Sequence, residues 1–182
     1  MRFFIPLLLI LNLAACSAGS DGSETKAVPA QHATGVILSE SEMGLGNWLL
    51  QAREANFYSE PHSFITMVRP HLIFKIEGRE ESSIKSREGR YDIDKNLITM
   101  TGRVVGVSLK ENAKIETEKV FYDTQTKQIW VNAPVVITRA GVRVEGKGLR
   151  ATPDLSEIEI FKQKTTLPQN IQDLEAGPAL KL

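Results

Sequence analysis

Cysteine is nearly absent from this sequence, and neither sign of charge is in excess. Cys16 is the single cysteine in 182 residues. A disulfide within one chain is therefore impossible, and a cysteine-based metal or redox centre would need a second chain. Lys and Arg total 22, as do Asp and Glu, which argues against a general nucleic-acid-binding protein, because such proteins carry a basic excess. With 42% apolar and 24% charged residues, the composition instead predicts one globular domain.

Motifs for catalysis and for bound cofactors are also missing. The sequence has no nucleophile elbow, phosphate loop or zinc-ligand spacing, and the lone Gly146-Lys147-Gly148 lacks the glycine spacing of a phosphate loop. His32, His62 and His71 are scattered, and nothing in the sequence proposes an acid or nucleophile partner for them. We therefore predict a protein that is not an enzyme and that uses no cofactor or metal.

The longest apolar run lies at the N-terminus and is too short to span a bilayer comfortably. Residues 1–15 contain one Arg and an apolar stretch, and they end in Leu13-Ala14-Ala15 directly before Cys16. Small residues before a cysteine form a lipobox, at which bacterial export enzymes acylate the cysteine and remove the preceding peptide. We predict a lipoprotein signal peptide over 1–15 and a lipid anchor on Cys16. The alternative is an ordinary secretion signal that happens to end near this cysteine.

Composition divides the rest of the chain into three parts. Residues 16–37 are small and polar, and they are predicted to form a flexible tether with a root-mean-square span of roughly 25 Å. His32 is interpreted as a solvated residue of this tether. Residues 38–164 carry the apolar alternation of a folded domain, and residues 165–182 form a C-terminal tail.

An internal repeat decides the fold prediction. Four segments share a pattern of apolar and small residues, and their starts, separated by 34, 31 and 29 residues, are Leu50, Ile84, Ile115 and Val144. Each segment is followed by a polar turn and by a second apolar strand, which starts near Ile65, Ile98, Ile129 or Ile158. Val, Ile, Thr, Tyr and Phe dominate between Phe64 and Phe161, and this composition favours strands.

Asp92, Asp94 and Asn96 have the spacing with which a calcium-binding loop begins. Such a loop would also need Gly at its sixth position and Glu at its twelfth, and here these positions hold Leu97 and Arg103. No other repeat has both carboxylates in the equivalent turn. We therefore predict a turn, in which Asp and Asn side chains bond the local backbone.

The alternation within each repeat slips by one residue, as between Ser86 and Gly89 and between Thr117 and Val120. A slip of this kind turns the core face of a strand outward unless a bulge or corner absorbs it. Slips at matching places predict strands that bend at each level. We predict an all-β, antiparallel, folded-over structure of about four strand-turn-strand units, with two facing sheets and an apolar groove between them.

Three further positions bear on this prediction. The stretch Ser41–Glu54 could form a helix, but its apolar positions also fit the strand repeat, and we favour a strand. Pro70 and Pro134 lie at matching places in their repeats. Proline cannot donate a ladder hydrogen bond, so both are predicted at strand starts or corners.

The groove is the candidate functional site. Its predicted lining is Leu50, Ala52, Ala55, Phe57, Ile84, Ser86, Gly89, Tyr91, Ile115, Thr117, Val120, Tyr122, Val144, Gly146 and Leu149. The small side chains among them are expected to leave room between the sheets, and the aromatic ones to close it. The alternative is that the same residues fill a closed sandwich core.

These features together resemble a known family. The membrane-anchored N-terminus, the Trp-Leu-x-Ala-x-x-Ala motif from Trp48 and repeats such as IETEKVFYDTQTKQIWVNAPVVI are similar to LptC, over Trp48 to about Gln163. The resemblance covers essentially the whole folded domain but rests on a diffuse repeat. It implies a β-jellyroll whose groove holds the acyl chains of lipopolysaccharide, within the periplasmic machinery that exports this lipid.

The resemblance also implies partners at the two edges of the fold. The N-terminal edge would pair with LptF or LptG of the inner-membrane ABC transporter, and the C-terminal edge, with Ile158, Ile160 and Phe161, would pair with the acceptor LptA. Most members keep an uncleaved transmembrane helix, whereas this chain has a lipobox. Ser17 would favour the outer membrane under the enteric sorting rule, but we predict periplasmic attachment to the inner membrane. The alternative is a structural envelope lipoprotein or an LptA-like bridge that pairs through its edges without carrying lipid.

Overall fold

The computed structural model describes residues 28–42 and 45–166, and this part of the chain is almost entirely β-strand. Its strands, in chain order, are β1 (Gln31–Glu42), β2 (Leu45–Tyr58), β3 (Phe64–Val68), β4 (His71–Ile76), β5 (Arg79–Lys85), β6 (Glu88–Asp92), β7 (Leu97–Ser108), β8 (Ala113–Asp123), β9 (Gln128–Arg139), β10 (Val142–Ala151), β11 (Ile158–Ile160) and β12 (Lys164–Thr166). Within these ranges, no helix is long and apolar enough to cross a membrane. The predicted signal peptide, Cys16 and residues 167–182 of the predicted tail lie outside the described residues. The predicted start of the tail at residue 165 is wrong, because residues 165 and 166 belong to β12.

The strands form an antiparallel meander in which neighbours in sequence are neighbours in space. β2 pairs with β1 on one side and with β3 and β4 on the other, and β7 pairs with β5 and β6 before the order continues through β8, β9 and β10. β11 and β12 both pair with β10. Short turns connect most of these strands, which favours antiparallel pairing between consecutive strands. The predicted all-β fold is therefore confirmed.

A strand level here is either one long strand, such as β7 or β8, or two consecutive shorter strands, such as β3 with β4. Each strand level bends near its middle. The bends lie at Arg69–Pro70 between β3 and β4, at Ser86–Arg87 between β5 and β6, and at register shifts within β7, β8 and β10. One set of strand halves, with β3, β6 and β11, forms layer A, and the other set, with β4, β5 and β12, forms layer B. The predicted bent hairpins are therefore present. The one-residue slips in the apolar alternation of the sequence fall at these bends.

Both singled-out prolines lie at this line of bends. Pro70 precedes β4, is fully buried, and its carbonyl accepts a hydrogen bond from the Ser86 N–H at 3.2 Å. Pro134 lies inside β9, and its carbonyl accepts the Thr117 hydroxyl at 2.8 Å. The corner interpretation is correct for both residues.

The end of the predicted tether is wrong, because β1 begins at Gln31 rather than after residue 37. β1 pairs with β2 along its length, and the register skips Gly35, whose φ is +63°. Val36 and Leu38 on the far side of this bend pack against the core. Gly35 and the small Ala33 interrupt the apolar alternation, so the segment resembled a linker. His32, predicted to be only solvated, is exposed but bonds the Asn56 side chain at 2.9 Å.

The segment predicted as a strand rather than a helix forms β2.

The residues with the calcium-like spacing, Asp92, Asp94 and Asn96, lie in a turn, as predicted. The turn contains a short 3-10 segment at Ile93–Lys95, and Asn96 adopts the left-handed conformation at φ 53°. Asp94 accepts the backbone N–H of Ser63 at 3.1 Å. Asp92 accepts two hydrogen bonds from Arg90, and these bonds hold the pKa of the Asp92 carboxyl below its usual value.

The two layers face each other across one continuous apolar core. Two aromatic pairs join the layers edge to face, namely Phe74 with Tyr122 at 4.9 Å and Trp48 with Tyr91 at 6.0 Å between ring centroids. The core takes the inward residue of every second position along the strands, as in the pattern iBiBi of β3. The space between the layers is therefore the place to look for a ligand.

Candidate functional site

The structure places most of the predicted groove lining in the interior. Ten of these residues are buried, and they are Leu50, Ala52, Ala55, Ile84, Gly89, Ile115, Thr117, Val120, Tyr122 and Leu149. Phe57 and Tyr91 are partly buried and pack against the core. Burial raises the pKa of the Tyr122 phenol, which is therefore uncharged at neutral pH. The interior that these residues share is apolar and holds no ionised group among them.

Ser86 does not lie in the groove. It falls at the bend between β5 and β6, where its hydroxyl donates to the Glu88 carbonyl at 2.7 Å, and it lines a cleft on the outer surface. The repeat pattern predicted Ser86 to be inside because Ile84, an inward residue, precedes it by two positions. The bend between β5 and β6 ends that alternation before Ser86. The prediction for Ser86 is therefore wrong.

Gly146 lies on the inward phase of β10, beside the partly buried Val144, but the space beside Gly146 is occupied. A Cβ built on Gly146 would lie within van der Waals overlap of Ile160 Cγ2 and 3.0 Å from the Phe161 carbonyl oxygen. The predicted room for a ligand at this position is absent, because the segment after β11 crosses closely over β10. Lys147 N–H donates to the Phe161 carbonyl at 2.9 Å, which fixes this approach.

Gly146→Ala is expected to loosen the C-terminal edge of the sheet. The added methyl must displace Ile160 or the Phe161 backbone, and overpacking of this kind costs about 1–3 kcal/mol of unfolding free energy. Thermal denaturation would show the loss, and hydrogen exchange would locate it at β11 and β12.

Gly106→Ala is the matched control for this substitution. Gly106 also lies inside a strand, but its Cβ would meet Ile115 Cβ at an ordinary 3.6 Å. We expect it to be neutral or to stabilise by about 0.5 kcal/mol. Equal stability of the two alanine variants would contradict the close approach at Gly146.

The interior is filled by side chains from both layers. Leu50, Leu72, Ile98 and Leu149 expose at most 1% of their surface, and they belong to the same cluster as the two interlayer aromatic pairs. An occupant of this space would therefore have to displace side chains or move the layers apart. Such a change requires a part of the fold that can open.

The loop that joins β10 to β11 closes one end of the interior. Leu155 projects from this loop into the core, is 1% exposed, and adopts φ +59°, which is uncommon for a residue with a side chain. The Ser82 hydroxyl of layer B donates to the Pro153 carbonyl, which ties the loop across the gap between the layers. Leu155 thus acts as an apolar plug held by one hydrogen bond and by a local turn, in which its N–H donates to the Thr152 carbonyl at 3.0 Å.

A cleft of about 430 Å³ lies beside this loop. Ile129, Ala151 and Ile158 line it together with Thr152 and Glu157 of the loop, and its remaining lining residues, Gln128, Arg150 and Glu159, are polar or charged. Ile129 and Ala151 belong to the core cluster, so the cleft reaches the edge of the interior. We define this cleft, together with the loop Thr152–Glu157, as the mouth of the interior.

Both ends of the meander leave a strand edge without a partner in the described part of the chain. β1 pairs only with β2, and β11 and β12 pair only with β10. The predicted edge residues Ile158 and Ile160 lie in β11, whereas Phe161 lies at the kink between β11 and β12, where its N–H donates to the Gly148 carbonyl at 3.1 Å. Unpaired edges are templates for strand addition by another chain.

A family model described as "Lipopolysaccharide-assembly, LptC-related" matches residues 7–167, which is most of the sequence. The chain belongs to the LptC family. Among solved structures, the fold is similar to LptH from Pseudomonas aeruginosa, described as the LptA-homologous periplasmic component of the conserved lipopolysaccharide transport device. The TM-score is 0.53 at 10% identity, and the match covers 66% of this chain and 94% of that one. A search of curated proteins finds no match.

Membership of the LptC family and the jellyroll fold support a periplasmic role in lipopolysaccharide transport. The proteins of this family are transport components rather than known enzymes. In this LptC-family chain, the meander of bent strands gives the jellyroll its apolar interior, its mouth and its two free edges. The interior and its mouth are suited to an apolar ligand, and the edges are suited to pairing with strands of other proteins.

Sequence reasoning missed three contributors to the site of this LptC-family chain. Phe74 and Trp48 join the layers, and the Trp48 Nε1–H donates to Glu40 of β1 at 2.7 Å, which ties the N-terminal edge strand to the core. Leu155 was missed because it stands in a segment interpreted only as a turn. An apolar residue in that slot, where the other repeats carry polar residues, was the available signal.

Proposed function

We propose that this protein holds the acyl chains of lipopolysaccharide between layers A and B, accepting the lipid from the inner-membrane ABC transporter and passing it to LptA. The observation that carries the proposal is an apolar interior whose mouth is closed by a loop that one hydrogen bond ties to layer B. An acyl chain that enters gains roughly 25 cal/mol for each Å² of apolar surface removed from water. It replaces Leu155 and separates the layers, which offsets part of that gain.

The direction of transfer does not come from this chain. The interiors of two jellyrolls offer an acyl chain similar surroundings, so passage from one to the next is close to isoenergetic. Energy from the transporter's cytoplasmic ATPase would therefore drive the sequence of steps. β1 is the edge that we assign to LptF or LptG, and β11 with β12 is the edge that we assign to LptA.

We further propose that Cys16 carries the lipid anchor and that the anchor lies in the inner membrane. Several acyl chains on one cysteine make attachment stable, because each buried methylene contributes roughly 0.8 kcal/mol. Mass spectrometry of the purified protein would identify the acylated cysteine, and membrane fractionation would identify the membrane.

Photocrosslinking at two adjacent residues tests the interior site. Tyr122 is 2% exposed and faces the interior, whereas Phe121 faces outward and stacks on Trp130 at 5.3 Å. With p-azidophenylalanine at either position, we expect lipopolysaccharide adducts at 122 and little adduct at 121, because only the former side chain contacts a lipid between the layers.

The two crosslinking positions also distinguish the proposed lipid-binding function from the alternative function. A structural module that pairs through its edges and holds no lipid is favoured by the close packing of the interior, and it predicts no adduct at either position. Adducts at 121 alone would place the lipid on the outer face and contradict the proposal. Thermal denaturation of both variants checks that the probe leaves the fold intact.

A further inference from the structure

Basic side chains gather on the outer side of the bends. Arg53, Arg69, Lys85, Arg87 and Arg103 are all exposed there, on four successive strand levels, although the whole chain has no net charge. We call these five residues the basic spine. They lie on the side of the fold opposite to the turns that connect the strands, and therefore opposite to the mouth.

The backbone places three of these arginines on adjacent levels. Arg69 N–H donates to the Arg87 carbonyl at 2.7 Å, and Arg87 N–H donates to the Gly102 carbonyl at 3.0 Å. The Arg87 side chain lies over Gly102, where a Cβ would be 3.2 Å from Arg87 Cβ. Arg69 and Arg103 have φ of 52° and 49°, a conformation that few residues other than glycine adopt. The bends thus set the backbones that carry these side chains about 4.8 Å apart from level to level.

Most of the spine lacks a neutralising partner within the described residues. Arg53 pairs with its neighbour Glu54 at 2.9 Å, and the Glu118 carboxylate accepts the backbone N–H of Arg103 at 3.4 Å. Within the described part, the side chains of Arg69, Lys85, Arg87 and Arg103 form no salt bridge. Five basic residues outside the spine form salt bridges, and these are Arg79, Arg90, Lys114, Arg139 and Arg143. Nine others in the described part, such as Lys75 and Arg150, form none, so it is the clustering of the unpaired cations that sets the spine apart. Like charges on adjacent strands destabilise a sheet, so the spine costs stability unless an external anion binds it.

The spine borders two shallow clefts. One, of about 420 Å³, is lined by Arg69, Lys85, Arg87 and Arg103 with three uncharged or weakly basic neighbours and no acidic residue. His71 lies between the clefts, and its Nε2 atom is buried without a hydrogen-bond partner in the described part. Burial, and then the Lys85 charge, lower the pKa of His71, and the Glu80 charge offsets part of this lowering.

An exposed apolar residue lies at the second cleft. Ile37 of β1 is 62% exposed and lines a cleft of about 370 Å³ together with Arg53, Arg69 and His71. A row of cations with an adjacent exposed apolar side chain is the composition of a surface that rests on lipid head groups. Guanidinium groups bind phosphate oxygens with two parallel hydrogen bonds.

We propose that the basic spine is a docking surface for anionic phospholipid head groups at a membrane surface. The arginines and Lys85 bind the phosphates, and Ile37 enters the head-group region. The contact is separate from the interior that we assign to lipopolysaccharide. It would orient the jellyroll with its spine on the membrane and its mouth turned away.

Vesicle flotation of the full chain carrying Cys16→Ser, which has no acylated cysteine, tests the contact. The vesicles contain phosphatidylcholine alone or mixed with phosphatidylglycerol. We expect the double variant Arg87→Gln/Arg103→Gln to lose about tenfold in partitioning onto the mixed vesicles, with no change on phosphatidylcholine. Arg79→Gln/Arg143→Gln removes the same charge elsewhere and is expected to keep most of the binding.

Three results would overturn the proposal. Equal losses in the two double variants would show a net-charge effect without a site. Competition by soluble glycerol phosphate at low concentration would point to a free phosphate ester, and preferential binding of an acidic protein would point to a protein interface. Photocrosslinking at 122 in the same variants keeps this test apart from the lipopolysaccharide proposal, since the spine variants are expected to crosslink normally.

Discussion

A disulfide between residues 82 and 153 is expected to stop lipopolysaccharide uptake. The Ser82 hydroxyl and the Pro153 carbonyl are in hydrogen-bond contact, so the two residues are neighbours, and the pair Ser82→Cys/Pro153→Cys is chosen to fasten the mouth loop to layer B. Thiol titration before and after oxidation checks that the disulfide forms. Leu155 could then not leave the interior. We expect oxidised protein to load lipopolysaccharide at least about tenfold more slowly, because a lid that cannot open removes the competent state. Adduct formation by azidophenylalanine at 122 measures the loading.

The reduced double variant and the single Ser82→Cys variant are the controls. Reduction should restore loading to the level of the unmodified chain, which excludes a defect caused by the substitutions themselves. Leu155→Ala provides the opposite change, since a smaller plug should speed loading although it costs roughly 2–5 kcal/mol of stability. Normal loading by the oxidised protein would show that lipid does not enter past this loop.

Ile158→Pro is expected to abolish the pairing of this chain with LptA. Glu157 and Phe161 direct backbone groups toward β10, since Thr152 N–H donates to the Glu157 carbonyl and Phe161 N–H to the Gly148 carbonyl. Backbone groups of an antiparallel strand alternate in direction, so the N–H of Ile158 points away from β10. Proline removes this donor and leaves the ladder to β10 intact. We expect LptA affinity to fall by roughly tenfold or more.

Ile158→Ala is the matched control, because it shortens the same side chain but keeps the N–H. Its affinity for LptA should fall much less than that of the proline variant, in titration calorimetry with purified LptA. Equal affinities of the proline and alanine variants would contradict strand addition at β11. Binding to the transporter subunits should be unchanged in both, since that contact is assigned to β1.

Local pattern predicted most of this fold. The period-two alternation identified β2 through β10 as strands, and the one-residue slips near Ser86 and Thr117 indicated the bends. The turn at Asp92–Asn96 followed from the bonding of short polar side chains to the nearby backbone. β1 and β12 were the exceptions, because Gly35 and Ala33 interrupt the alternation of β1 and because β12 has only three residues, none of them apolar.

The candidate site was predicted less well than the fold. Alternation indicates which face of a strand is inward, but it does not show what lies opposite that face. Ser86 left the interior because the bend ended its strand, and Gly146 offers no room because Ile160 covers it. The first error concerns where the bend interrupts a strand, and the second concerns a contact with a residue from another strand level.

The sequence by itself determined the strands, the turns, the bends and an apolar interior, because each depends on residues close together in the chain. Tertiary structure alone decided that Leu155 plugs the mouth, that Ser82 holds its loop, and that arginines from separate levels form one basic spine. The physical reason is that these features depend on distances between residues far apart in sequence. Folding the layers together sets those distances, and periodicity does not encode them.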